Sequence, residues 1–176
     1  MADITGALAI AAPFTASQES FQALPYYDVN GYAIGYGNHY YSDGTAVDAG
    51  DPAISQSDAY DLMVFYLTQG GNTILSQITV PLANNQLAAL MDAKYNEGSL
   101  GSDLVNLING GADPATIAAA LLQTDVATNR AQAESNLYLN TSIASAAGIL
   151  PGVSNTALIG VGAAALAIGL LIALKD

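Results

Sequence analysis

The sequence predicts an α+β chain, mainly helical, with a small β-hairpin lobe and a C-terminal transmembrane helix. Three observations carry this. Apolar residues recur at helical spacing in several segments that open on capping residues. Residues 26–41 are rich in Tyr and Gly and hold the turn pair Asn30–Gly31. Residues 157–174 run for 18 positions without a polar side chain. With 176 residues, 52% of them apolar, the chain can bury one domain-sized core, which excludes wholesale disorder.

The elements follow in order. Residues 1–14 have a short apolar run, but Asp3 stands where a secretion signal requires positive charge, so they read as a lead-in. A short helix is expected over 15–24, with Thr15 as N-cap and Pro25 as its stop. The hairpin occupies 26–41, and Asp43–Gly44 and residues 48–51 signal turns. Ser55 caps a helix over 56–77 that Gly70 and Gly71 weaken. Residues 84–95 place Leu87, Leu90 and Met91 at helical spacing, with Gly98 just beyond. Asp113 and Pro114 form an N-cap and first-turn pair for a helix over 115–122, and a further helix spans 124–139. The folded domain is therefore drawn at 15–141. Residues 142–155 are small, uncharged and bear Gly, Ser and Pro, as a linker would. The transmembrane helix is drawn at 156–174. As a helix, its 18-residue apolar run would be about 27 Å long, against a hydrocarbon core of roughly 30 Å.

Composition narrows the chemistry. Lys94, Arg130 and Lys175 are the only basic residues against 15 acidic ones, and the net charge is -12. Three cations cannot neutralise a run of phosphates, so nucleic acid is not an expected partner. The absence of cysteine removes disulfides, thiolate catalysis and Cys-based zinc sites, and His39 is the only histidine. Asp43, Asp48 and Asp51 do not match a calcium-loop spacing and read as solvated turn acids. No metal or other cofactor is expected.

Glu19 and Asp28 lie nine positions apart, at the end of the first helix and the start of the hairpin. A helix feeding a tight hairpin can set two carboxylates on opposite walls of one cleft. Glycoside hydrolysis uses such a pair: one carboxyl protonates the leaving oxygen and the other faces the opposite side of the sugar. Six tyrosines, among them Tyr26 and Tyr36, crowd the same region. They suit sugar stacking and are equally ordinary strand residues. His39 is a substrate-binding or auxiliary-base candidate, although a lone His in such a hairpin more often serves as a structural hydrogen-bonder.

The segment ESFQALPYYDVNGYAIGYG, residues 19–37, resembles the active-site segment of phage-type lysozymes, glycoside hydrolase family 24. Three later segments fit the same family in order: VPLANNQLAALMDAKYNEGSL, INGGADPATIAAAL and TNRAQAESNLYL. The resemblance covers roughly residues 15–140 and implies a lysozyme-like fold. It also implies that Glu19 is the general acid, that Asp28 is the second carboxylate, and that Arg130 pairs with Glu19. Arg130 could instead pair with Glu134 on its own helix at i,i+4. By the same resemblance Asn96 lines the sugar-binding cleft.

One departure stands out. The family usually has Thr immediately before the Ile–Gly step, where it helps to hold the attacking water. Here that residue is Ala33, and the interval from Asp28 is one residue short, so that the full interval lands on Ile34. Neither side chain offers a hydrogen bond. Either another group, Asn30 or a tyrosine hydroxyl, orients the water, or the sugar's own C6 hydroxyl attacks and leaves a 1,6-anhydro end.

The expected function is a peptidoglycan-degrading muramidase that cleaves the MurNAc–GlcNAc β-1,4 bond. A lipid membrane would anchor it through residues 157–174. The resemblance implies a phage or prophage source. With the apolar run as an anchor, the enzyme is expected in a viral or host cell membrane, as a virion component for wall penetration beside other virion proteins or as an endolysin for host lysis. The alternatives are a lytic transglycosylase and a catalytically inactive lysozyme-fold structural protein of a membrane-containing virion. Ala33 favours the last, and the set Glu19, Asp28 and Arg130 argues against it.

Overall fold

A computed structural model describes residues 1–123 and 128–140. Six helices and one two-stranded sheet make up this part: α1 (Ile4–Gln18), β1 (Gln22–Asp28), β2 (Gly31–Gly35), α2 (Gln56–Gln77), α3 (Asn84–Glu97), α4 (Ser102–Asn109), α5 (Pro114–Leu121) and α6 (Thr128–Leu139).

The first helix differs from expectation at both ends. It starts at Ile4, where the Asp3 side chain accepts a hydrogen bond from the Gly6 N–H at 2.8 Å, and ends at Gln18. Residues 4–14, expected as a lead-in, form most of α1 and bury Ala7, Ile10, Ala11 and Ala12. The helix expected over 15–24 is therefore corrected. Thr15 lies inside α1, fully buried, and Leu24 and Pro25 belong to β1. Burial of the alanine-rich face of α1 outweighs the capping tendency of a threonine. Pro25 has no N–H to give to a ladder, and the strand register slips between Gln22 and Tyr26, where the proline sits.

β1 and β2 pair antiparallel, with Tyr26 opposite Ala33, Tyr27 opposite Tyr32 and Asp28 opposite Gly31. The turn is the two-residue Val29–Asn30, and Gly31 leaves it at φ +128°. The hairpin is shorter than expected, because Gly35 and Gly37 adopt φ +67° and +87° and end the second strand. A loop continues to Ser55, tied down by isolated bridges between Ile34 and Asn38 and between Tyr40 and Ala46. The turn acids of this loop cap backbone, as expected: Asp43 accepts from the Thr45 N–H and Asp48 from the Gly50 N–H.

Ser55 caps α2, accepting from the Asp58 N–H at 3.1 Å. The helix runs unbroken through its two glycines. A Cβ at Gly71 would sit 2.8 Å from Ile4 Cδ1 and 3.1 Å from Met91 Sδ, so this glycine admits α1 and α3 to close contact. α3 is the central element and packs against α1, α2 and α6. It buries Leu87, Ala88, Ala89, Leu90, Met91 and Asp92 and ends at Gly98 with φ +77°. Each large aliphatic side chain withdrawn from water here contributes about 1.5–3 kcal/mol. α4 had no counterpart among the expected elements. Asp113 caps α5 by accepting from the Ala115 and Thr116 N–H groups, both at 3.0 Å.

Among the described residues, no helix is long and apolar enough to cross a membrane. The expected linker and transmembrane run, 142–155 and 156–174, lie outside the described residues, as do 124–127 of the last expected soluble helix.

Candidate active site

Glu19 is the C-cap of α1. Its backbone N–H still bonds the Thr15 carbonyl, while its own φ, ψ of -95°, 143° turn the chain out of the helix toward β1. Its side chain is partly exposed. Oε1 accepts a hydrogen bond from Arg130 Nη1 at 2.6 Å. A Cβ built on Gly37 would lie 3.7 Å from Glu19 Oε2 and 4.0 Å from the Tyr26 hydroxyl, so these two groups converge over one glycine. One carboxylate oxygen is thus engaged by Arg130 and the other turns toward the hairpin.

Arg130 comes from α6 and is nearly buried. It donates from Nε to Asp92 Oδ2 at 3.1 Å and from Nη2 to Asp92 Oδ1 at 3.0 Å. Its Nε also lies 3.5 Å from Glu134 Oε1 on its own helix. Both partners considered from the sequence are therefore present, joined by a third. Burial alone would lower the guanidinium's pKa. The charge and hydrogen bonds of Asp92, with those of Glu19, outweigh it, and the pKa stands above the ordinary arginine value.

Asp92 was not among the expected site residues. It is fully buried on α3, and besides Arg130 it accepts from the Thr15 hydroxyl at 2.6 Å. The available signal was an acid embedded in the apolar stretch LAALMDA, since an acid on a buried helix face needs a partner.

Asp28 ends β1, and its carboxylate is partly exposed. Oδ1 accepts from the Val29 N–H at 2.6 Å, and Oδ2 lies 3.6 Å from His39 Nε2. The other ring nitrogen of His39, Nδ1, is 3.0 Å from the Tyr32 carbonyl oxygen. The Tyr26 ring stands on the same strand. Its hydroxyl pKa is raised, first by burial and then by the charges of Asp28 and Glu19, so this one hydroxyl senses both carboxylates.

The other expected substrate-binding residues separate. Tyr36 is a core residue: 5% exposed, its ring is 5.7 Å from Phe21, and its hydroxyl accepts from Gln56 Nε2 at 3.1 Å. So buried, it presents no face to a sugar. Asn96 is exposed at the end of α3, where its Nδ2 donates to Glu97 Oε1 at 3.0 Å. Its neighbour Tyr95 reaches back to the hairpin loop, with its hydroxyl 2.8 Å from the Tyr36 carbonyl and 3.0 Å from Asn38 Oδ1. Burial, then the charge of Glu19, pushes the Tyr95 hydroxyl well above the ordinary phenol range.

The comparisons accord with this geometry. The family model described as phage lysozyme matches residues 16–138. A search of curated proteins finds no match. Several solved structures share the fold. An endolysin from Escherichia coli O157:H7 phage FAHEc1 aligns with TM-score 0.63 at 24% identity, over 77% of this chain and 92% of that one. A P22 lysozyme variant aligns with TM-score 0.61 at 23% identity, over 75% and 97%. The muramidase domain of SpmX from Asticaccaulis excentricus aligns with TM-score 0.60 at 21% identity, over 74% and 95%. With the family model covering most of the chain, from just before the helix-end glutamate through Arg130, the chain belongs to the phage lysozyme family and is a glycosidase of the peptidoglycan-degrading, lysozyme type.

Proposed function

We propose that the protein is a muramidase that cleaves the MurNAc–GlcNAc β-1,4 bond of peptidoglycan, with Glu19 as general acid and Asp28 as the second carboxylate. The observation that carries this reading is the Arg130–Glu19 bond, which leaves Oε2 turned toward the hairpin that bears Asp28. Glu19 Oε2 gives its proton to the leaving glycosidic oxygen. Asp28 faces the positive charge that develops on the ring. Tyr26, whose hydroxyl senses both carboxylates, is read as bonding a sugar hydroxyl, and Asn96 as lining the cleft, the latter from the family resemblance.

The second reading, a lytic transglycosylase, draws on Ala33. This residue is fully buried and has no hydroxyl to hold a water. Attack by the sugar's C6 hydroxyl would then have the advantage of proximity. The reading extends to location: the apolar run 157–174 supports a membrane tether, and the phage lysozyme family supports a role in wall penetration or host lysis, on a virion or in a host cell membrane.

A zymogram on purified cell walls tests the enzyme assignment. The full chain clears the wall. Glu19→Gln stays folded and loses activity by about 10²–10⁴-fold, the usual contribution of a general acid. Retention of wild-type clearing by that variant removes Glu19 from its role, and a folded wild-type chain that clears nothing removes the muramidase reading in favour of a structural protein.

A further inference from the structure

We propose that His39 is the general base of this site and holds the attacking water that Ala33 cannot. This rests on the muramidase reading above and commits it to hydrolysis.

The ring's tautomer follows from its surroundings. Nδ1 is 3.0 Å from the Tyr32 carbonyl oxygen, which can only accept, so Nδ1 carries the proton. In the neutral ring Nε2 then bears the lone pair. Nε2 stands 3.6 Å from Asp28 Oδ2, too far for a direct hydrogen bond. Both of these atoms are acceptors. A single water at about 2.8 Å from each can give one O–H to Nε2 and the other to Oδ2. Asp28 is already set for this, because its Oδ1 is held by the Val29 N–H at 2.6 Å and its Oδ2 is left facing the ring. The histidine side chain is 27% exposed and the carboxylate 43%, so both are open to solvent. Ala33, by contrast, is wholly buried opposite Tyr26 in the ladder.

The reaction balances on these groups. The water oxygen bonds the anomeric carbon as the glycosidic C–O bond breaks. The leaving oxygen takes the proton of Glu19, and the water's proton passes to His39 Nε2. The imidazolium so formed lies beside the Asp28 carboxylate, whose charge stabilises it. After product release the ring returns its proton to solvent and Glu19 takes one up.

Two substitutions of the full chain separate this role from a structural one. His39→Asn keeps a donor near Nδ1 for the Tyr32 carbonyl but has nothing at the position of Nε2. His39→Gln loses that donor and can place an amide oxygen near Nε2. The wild-type chain is expected to release reducing ends, read by mass spectrometry of the muropeptides. For His39→Asn, kcat is expected to fall about 10²-fold with KM within about twofold, because a base is lost and substrate binding is not. His39→Gln is expected to keep more of kcat than His39→Asn. Anhydro ends, lighter by one water, are expected to rise in His39→Asn. Wild-type kcat in His39→Asn, or lower activity in His39→Gln than in His39→Asn, assigns the ring to holding Tyr32 and overturns the proposal. So does equal loss in both variants, and so do anhydro ends from the wild-type chain. If the wild-type chain cleaves to reducing ends while His39→Asn is unaffected, only this assignment fails. If the folded wild-type chain cleaves nothing, the muramidase reading fails with it.

Discussion

Arg130 and Asp92 meet through two parallel hydrogen bonds, Nε to Oδ2 at 3.1 Å and Nη2 to Oδ1 at 3.0 Å, deep between α3 and α6. The bond that Arg130 gives to Glu19 is the outer end of this arrangement. The guanidinium has a planar, fork-shaped set of donors. With two of them fixed on a buried carboxylate, the direction of Nη1 is set, and with it the place of Glu19. Asp92 is in turn held by Thr15, one turn before Glu19 on α1. Three elements, α1, α3 and α6, thereby fix the Glu19 carboxylate through its Oε1.

Asp92→Asn should therefore affect both stability and activity. Removing one partner of a buried ion pair costs about 3–5 kcal/mol, which chemical denaturation would read. Activity should fall as well, because the fork that aims Nη1 at Glu19 loses a charged anchor. A less stable variant with unchanged kcat would confine Asp92 to a packing role.

The sequence disclosed those parts of the fold whose causes are local. Ser55, Gly98, Asp113 and Pro114 bound α2, α3 and α5 where they were expected, because each acts within a turn of its own position. Thr15 misled for the opposite reason. Its hydroxyl serves a carboxylate 77 residues away, and no local pattern shows that. Pro25 read as a helix stop, yet it is accommodated by a slip in strand register. The Arg130–Glu19 pair was legible through family resemblance, whereas Asp92 departs from helical amphipathicity and gains its meaning from α6. Tyr36 and Tyr26 look alike along the chain. Tyr36 packs in the core against Phe21 and Tyr60, contacts that no local pattern shows.

Alkaline pH should unfold the protein through its buried tyrosines. Burial raises the Tyr138 hydroxyl to about 12. Tyr26, Tyr60, Tyr66 and Tyr95 are raised too. A raised pKa means that the folded chain holds its proton where the unfolded chain has lost it. The associated stability is complete below about pH 10, the ordinary tyrosine value, and falls as pH rises through the folded value. Denaturation midpoints should be flat from neutrality to about pH 9.5 and decline beyond it. Tyr138→Phe should decline less steeply. An identical slope in that variant would show that Tyr138 titrates alike in both states.

Encounter with the cell wall should depend on salt in an unusual direction. The chain carries a net charge of -12, and peptidoglycan is anionic. Screening shortens from about 30 Å at 0.01 M ionic strength to about 8 Å at 0.15 M. Repulsion should therefore fade, and kcat/KM on whole walls should rise over that range while kcat on a short neutral oligosaccharide stays level. A fall in kcat/KM on walls with added salt would instead mean that a local positive patch governs binding, and Lys94, Arg130 and Lys175 are the only basic side chains able to supply one.

Deletion of residues 156–176 should separate the lysozyme-like domain from the proposed anchor. Among the described residues the core is built by α3 packing against α1, α2 and α6. The segment has its own reason to leave water. Nine of its 18 apolar residues are Leu, Ile or Val. Each contributes about -0.3 to -0.6 kcal/mol at the centre of a membrane-spanning helix, so insertion is favourable by a few kcal/mol. The full chain should co-sediment with phosphatidylcholine vesicles, a surface without net charge that the acidic domain neither seeks nor avoids. The truncated chain should remain in the supernatant, keep its helical circular dichroism and melt at the same temperature. A truncated protein that unfolds would make the segment a core helix. One that folds and still sediments with the vesicles would place the anchor elsewhere, with the exposed hairpin side chains Leu24, Tyr27 and Val29 the first to substitute.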